Sequence, residues 1–101
     1  MLVRIWEASF DVAKKEKLIE YANNRSLPVL SSRPGCLGVT FYVSKDRLIT
    51  QTFWRDQASI DALGQDPEYK ELVKGILALD ALGSKQETKV FELVGGNLVD
   101  G

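Results

Sequence analysis

Two stretches of helical texture, each lying between runs rich in branched and aromatic residues, constrain this chain more than any other feature. Leu2 to Phe10 is short, holds Val, Ile, Trp and Phe, and lacks glycine and proline, all of which favour a strand. From Asp11 onward Lys14, Lys15, Glu16, Lys17 and Glu20 are interspersed with Leu18, Ile19, Tyr21 and Ala22. A helix capped by Asp11 is therefore predicted to run to about Ser32. Pro28 lies inside it, and a proline lacks the backbone donor and clashes with the preceding turn, which predicts a kink or break around Asn24 to Leu27. Arg33-Pro34-Gly35 then stops the helix and turns the chain.

A second strand follows over Cys36 to Val43, where Leu37, Val39, Phe41 and Val43 alternate with Cys36, Gly38, Thr40 and Tyr42. Ser44-Lys45-Asp46 reads as a hairpin loop. With neither Asn-Gly nor Gly-X present, a loop of about three or four residues is expected rather than a two-residue turn. The third strand is Arg47 to Arg55. Asp56 caps a short helix carrying Ile60 and Leu63, and Asp66-Pro67-Glu68 restarts it with an N-cap, a proline at the first helical position and an acid at the positive dipole end. Tyr69, Leu72, Val73, Ile76 and Leu77 then form one apolar stripe expected to face a core. Gly83 to Thr88 reads as a polar connection and Thr88 to Val94 as the fourth strand. Residues 95–101 read as a flexible or partner-crossing tail in which Leu98 and Val99 pair or fray.

A length of 101 residues fits one domain, 1–101, and a hydrophobic fraction of 45% is far above that of a disordered chain. Thirteen basic against fourteen acidic side chains leave no basic stripe for phosphates, so no nucleic acid is expected as a partner. No apolar run reaches the ~20 residues that cross a bilayer, and the opening residues lack the order of a signal peptide, so no membrane partner is expected and the expected compartment is cytoplasmic. The chain has no histidine and one cysteine, Cys36, which removes an intrachain disulfide, imidazole chemistry and the usual zinc, copper and non-haem iron ligand sets, leaving no metal site expected. Cys36 itself reads as a small apolar residue, and Lys14 to Lys17 as a solvated helix face.

The order strand, helix, strand, strand, helix, strand has one simplest compact solution. It is an α+β, ferredoxin-like βαββαβ fold, a four-stranded antiparallel sheet with both helices on one face. Each strand carries apolar residues at both parities: Phe41 with Tyr42, Phe53 with Trp54, Phe91 beside Val90 and Val94, Trp6 beside Ile5. Large apolar side chains must then point away from the helices, and covering them at ~25 cal/mol per Å² favours sheet-on-sheet association, so a homodimer is expected. An RNA-recognition module would share the plan, but its aromatic third-strand motif is replaced here by Arg47-Leu48-Ile49-Thr50-Gln51-Thr52-Phe53-Trp54.

Pro34-Gly35-Cys36-Leu37-Gly38, Trp54-Arg55-Asp56, Ile60, Leu63 and Asp66-Pro67-Glu68-Tyr69-Lys70 together resemble the antibiotic biosynthesis monooxygenase (ABM) superfamily over roughly Leu2 to Val94. The resemblance implies a dimeric α/β barrel with an organic ligand between helices and sheet. It offers cofactor-independent oxygenases of phenols and quinols, haem-degrading enzymes, and members without known activity. In the haem branch a helical tryptophan and a haem-ligating histidine fall at positions held here by Leu63 and Val73, and the strand-one asparagine has no counterpart beside Trp6 and Glu7, which disfavours haem.

The remaining expectation is a monooxygenase that uses no cofactor on an aromatic or quinol-like molecule. Such chemistry needs a dry pocket, a proton acceptor and a donor for an oxyanion. Trp6, Trp54 and Tyr69 are candidate substrate walls, Arg4 the anion-stabilising donor, and Glu7 or Tyr42 the proton carrier. The acid found in the family two residues before the strand-three tryptophan is Thr52 here, and the helical histidines of quinol-oxidising relatives are absent. The alternative is a non-catalytic ligand-binding or interaction module of the same fold. Each candidate also has a plain structural role: Trp54 and Phe53 in core or interface, Tyr69 in helix packing, and Arg4 in a salt bridge to Glu92.

Overall fold

A computed structural model describes residues 1–97. The first strand, β1 (Leu2–Phe10), leads through a short 3-10 turn, Val12–Lys14, into α1 (Lys15–Tyr21), with the Asp11 carboxylate accepting from the Ala13 N–H at 3.0 Å. The helix does not break before Pro28. It widens into a π turn over Ala22–Ser26, where the Leu27 N–H reaches the Ala22 carbonyl, and continues as α2 (Leu27–Ser31). Widening relieves the contact between the proline ring and the preceding turn, so the disturbance falls near the expected place without ending the helix.

Gly35 turns the chain at φ +84°, and a Cβ there would collide with the Ser59 side chain. β2 (Cys36–Ser44) and β3 (Arg47–Trp54) then form a hairpin in which Ser44 pairs with Arg47. The connection is thus the two-residue turn Lys45–Asp46, shorter than the sequence suggested, and Lys45 accepts φ +54° without being glycine. A bulge at Leu37 separates the pairs Cys36–Trp54 and Gly38–Phe53, so Leu37 leaves the alternation that Val39, Phe41 and Val43 keep.

Asp56 accepts from the Ser59 N–H at 2.9 Å and starts α3 (Gln57–Asp61), which tightens into a 3-10 turn, Ala62–Gln65. Asp66 then caps α4 (Pro67–Ala78). The last strand, β4 (Leu82–Glu92), begins earlier and ends earlier than expected. Residues 83–88 belong to this strand rather than forming a connection, with Leu82 and Gln86 to Thr88 paired to β1 and a register irregularity between them, because backbone pairing does not require apolar side chains on an exposed edge. Leu98 and Val99, and with them the expected role of the tail, lie outside the described residues. Among the described residues no helix is long and apolar enough to cross a membrane.

The sheet order is β2-β3-β1-β4, all antiparallel, with the helices on one face in the ferredoxin-like arrangement expected. Register and alternation put Arg4, Trp6 and Ala8 on the helix side with Leu48, Thr50, Thr52 and Trp54. The other face carries Ile5, Glu7, Ile49, Phe53, Tyr42 and Phe91. The core between helices and sheet is divided. One cluster joins Phe10, Leu18, Leu48 and Ala81, and another joins Trp54, Ile60 and Leu63.

Candidate functional site

Two separate apolar clusters hold the helices off the sheet and leave a cavity of about 210 Å³ between them. Its floor is Arg4 and Trp6 from β1, Thr50 from β3, and Leu82, Gln86 and Thr88 from β4. Its roof is Ser26 and Leu30 together with Tyr69, Leu72, Val73, Ile76 and Leu77 of α4. The stripe read as a core face is thus mainly a cavity wall. Leu72 is buried, but Val73 is 37% and Leu77 53% exposed, and both line the cavity.

Arg4 enters this largely apolar space from a central strand. Its Nη2 donates to the Tyr69 hydroxyl at 3.3 Å, and its guanidinium carbon lies 6.0 Å from the Tyr69 ring centre, a distance at which the ring face attracts a cation. The expected partner Glu92 pairs by register with Leu2, and no carboxylate lies within salt-bridge distance of Arg4 among the described residues. The reason is position along β4: the residue beside Arg4 is Val90. A cation facing an apolar hollow without a counter-ion is a site for an anionic group.

The proposed walls divide. Trp6 and Tyr69 line the cavity and pack on its two flanking clusters. Trp54 does not reach it. Its side chain is fully buried against Ile60 and Leu63, with Tyr69 packed on that cluster, so it braces the wall instead of forming it. The Trp54 indole N–H donates to Thr52 Oγ1 at 2.7 Å, and the Thr52 hydroxyl is within 3.4 Å of the Arg4 carbonyl. Thr52, where the resemblance implied an acid, therefore serves a buried hydrogen-bond chain.

The trio Arg4, Glu7 and Tyr42 is not brought together. Residues 4 and 7 of one strand are separated by an odd number of positions and point to opposite faces, a signal readable in the sequence. Glu7 accepts from Arg47 Nη2 at 2.8 Å on the face away from the helices, and the Tyr42 hydroxyl accepts from Thr40 on that same side. Ser26, Thr50, Gln86 and Thr88 line the cavity without having been foreseen. Parity with Trp6 could have found the two threonines once the register was known.

Tyr69 is itself fixed from below α4. One Asp66 oxygen accepts from the Glu68 and Tyr69 N–H groups at 2.9 and 3.3 Å, and the other accepts from Arg33 at 2.7 Å. The Arg33 guanidinium holds the Asp66 carboxyl below the usual carboxylate range. Burial pushes the Cys36 thiol up, in keeping with an unreactive side chain.

A ferredoxin-like sheet with a ligand-sized apolar hollow beneath its helices, entered by one arginine, defines a class of small-molecule α+β proteins. The chain belongs to the antibiotic biosynthesis monooxygenase family, whose model matches residues 1–75. That span includes Arg4, Trp6, Trp54 and Tyr69 but stops before β4. No curated protein matches by sequence. Among solved structures, a Streptomyces coelicolor monooxygenase in complex with nanaomycin D superposes with a TM-score of 0.82 at 22% identity, covering 98% of this chain and 92% of that one. A Deinococcus radiodurans protein assigned to the antibiotic biosynthesis monooxygenases gives 0.78 at 10% identity, with full coverage of both. A Mycobacterium tuberculosis protein gives 0.75 at 13%, covering 94% and 96%. At these identities the likeness establishes the fold.

Proposed function

We propose that this protein is a cofactor-independent monooxygenase that binds an aromatic, quinol-like molecule in the cavity, and that it works as a homodimer. The observation that carries the reading is Arg4, a cation in an apolar hollow whose only hydrogen-bond partner among the described residues is a tyrosine hydroxyl. Because Tyr69 accepts from Arg4, its own proton remains available to a ligand oxygen. The pair can thus stabilise a phenolate, promoting ionisation of the substrate beside it.

A phenolate in a dry site is electron-rich enough to reduce oxygen itself. One phenol and one O2 give a quinone and a water, so the substrate supplies every electron and no external reductant enters the balance. The dimer reading rests on Ile5, Ile49, Phe53, Tyr42 and Phe91, which form an apolar area on the face without helices. Such a face suits a second copy of the same sheet. Glu7 and Tyr42 lie on it and have no assigned part in the chemistry.

Oxygen uptake with a panel of hydroquinones and polycyclic phenols in metal-free buffer tests the activity. Turnover above background is expected, and Arg4→Ala should lower kcat/KM by about 100-fold, the scale of losing one preorganised oxyanion donor. A second reading is favoured by one observation: no carboxylate or lysine lines the cavity among the described residues. Ligand binding seen as tryptophan quenching, with no oxygen uptake, would assign the chain instead to a non-catalytic binding module.

A further inference from the structure

Two hydroxyls in the cavity wall stand apart from the Arg4–Tyr69 pair. Ser26, 6% exposed, ends the π turn, and Thr50, 9% exposed, projects from β3. Hydroxyls buried to this degree are nearly always hydrogen-bonded. These two have no hydrogen-bond partner among the described residues, yet no enclosed polar side-chain atom is left unsatisfied. Each oxygen therefore keeps some exposed surface, and both residues contribute to the cavity wall. Thr52, two residues further on the same strand face, shows the contrast: its hydroxyl is engaged by Trp54 and the Arg4 carbonyl.

Thr50 pairs with Trp6 across β1 and β3, one strand over and two residues along from Arg4, a backbone offset of ~8 Å from strand spacing and rise. The indole of Trp6 shares the floor with both. Apart from the exposed Gln86 and Thr88 on β4, the cavity wall therefore carries two kinds of polar group, with the Trp6 indole in the same floor. One is cationic. The other is neutral and can both donate and accept, and it comes from a π turn, a helix form that recurs at functional sites.

We propose that Ser26 and Thr50 form a second polar subsite for an un-ionised ligand oxygen, so that the cavity selects a ligand bearing two separated oxygen functions, one held as an anion at Arg4 and Tyr69 and the other at the hydroxyl pair. The inference rests on the cavity being the ligand site. A ligand lacking the second oxygen would leave two buried hydroxyls unpaired, which is the strongest form of discrimination open to such a wall.

The test is anaerobic binding of 1,5-dihydroxynaphthalene and 1-naphthol, followed by tryptophan quenching. The native protein should prefer the dihydroxy compound by about tenfold, the scale of one or two net hydrogen bonds. In Ser26→Ala/Thr50→Val the preference should vanish through weaker binding of the dihydroxy compound alone, whereas Thr50→Ser should retain it. Equal affinity of the native protein for both probes, with binding of each abolished by Arg4→Ala, would overturn this subsite while leaving the ligand site intact. Failure of the native protein to bind either probe would remove both.

Discussion

At the residue scale the informative unit is the relay from Arg33 through Asp66 to Tyr69 and Arg4. Asp66 was legible as an N-cap because Asp-Pro-Glu before an apolar stripe is a local pattern. Its second partner, Arg33, was not, since 33 residues separate them and only the packing of α4 against the end of α2 joins them. The depressed folded pKa of Asp66 makes the linkage one-sided. Its contribution to stability is complete above the ordinary carboxylate value of about 3.9 and is lost as pH falls through the lower folded value. Asp66→Asn keeps an acceptor for the helix but loses the ion pair. Urea denaturation should therefore show a destabilisation near neutral pH that shrinks below about pH 4. A difference independent of pH would mean that the ion pair contributes nothing.

At the element scale α4 spans the cavity on few supports. The Tyr21 hydroxyl donates to the Leu72 carbonyl at 2.7 Å, and Gly75 leaves the space that this approach requires. A Cβ at 75 would overlap the hydroxyl. Tyr21→Phe should cost about 1 kcal/mol, one net hydrogen bond. Gly75→Ala should cost about 1–2 kcal/mol despite its better helix propensity, because the clash outweighs the gain. In the double variant the oxygen that meets the methyl is gone, so the loss should be smaller than the sum, as thermal or urea melts can measure. Element identity was largely readable from periodicity, while the hairpin length and the start of β4 were not. Lys45 takes a conformation usually given to glycine, and the polar residues 83–88 lie in an edge strand whose exposed side chains carry no alternation.

At the scale of the whole molecule the face opposite the helices is the one on which the proposed homodimer rests. Phe91 is 49% exposed there, beside Val3 and in line with Phe53. The proposed homodimer predicts sedimentation at twice the 11.3 kDa chain mass at micromolar concentration. Phe91→Asp should shift the protein toward single chains by burying an unpaired charge at the contact. Single chains in the native protein would remove the dimer reading. The sequence by itself determined the order of elements, the caps, and the presence of apolar residues on both sides of the sheet, because these follow from spacing along the backbone. Only the tertiary structure decided that Arg4 meets Tyr69 rather than Glu92, that it is Arg4 and not Glu7 that faces the cavity, that Tyr42 lies on the other face, and that Trp54 braces the cavity wall. Register and the separation of two core clusters set those outcomes, and both depend on contacts between residues far apart in the chain.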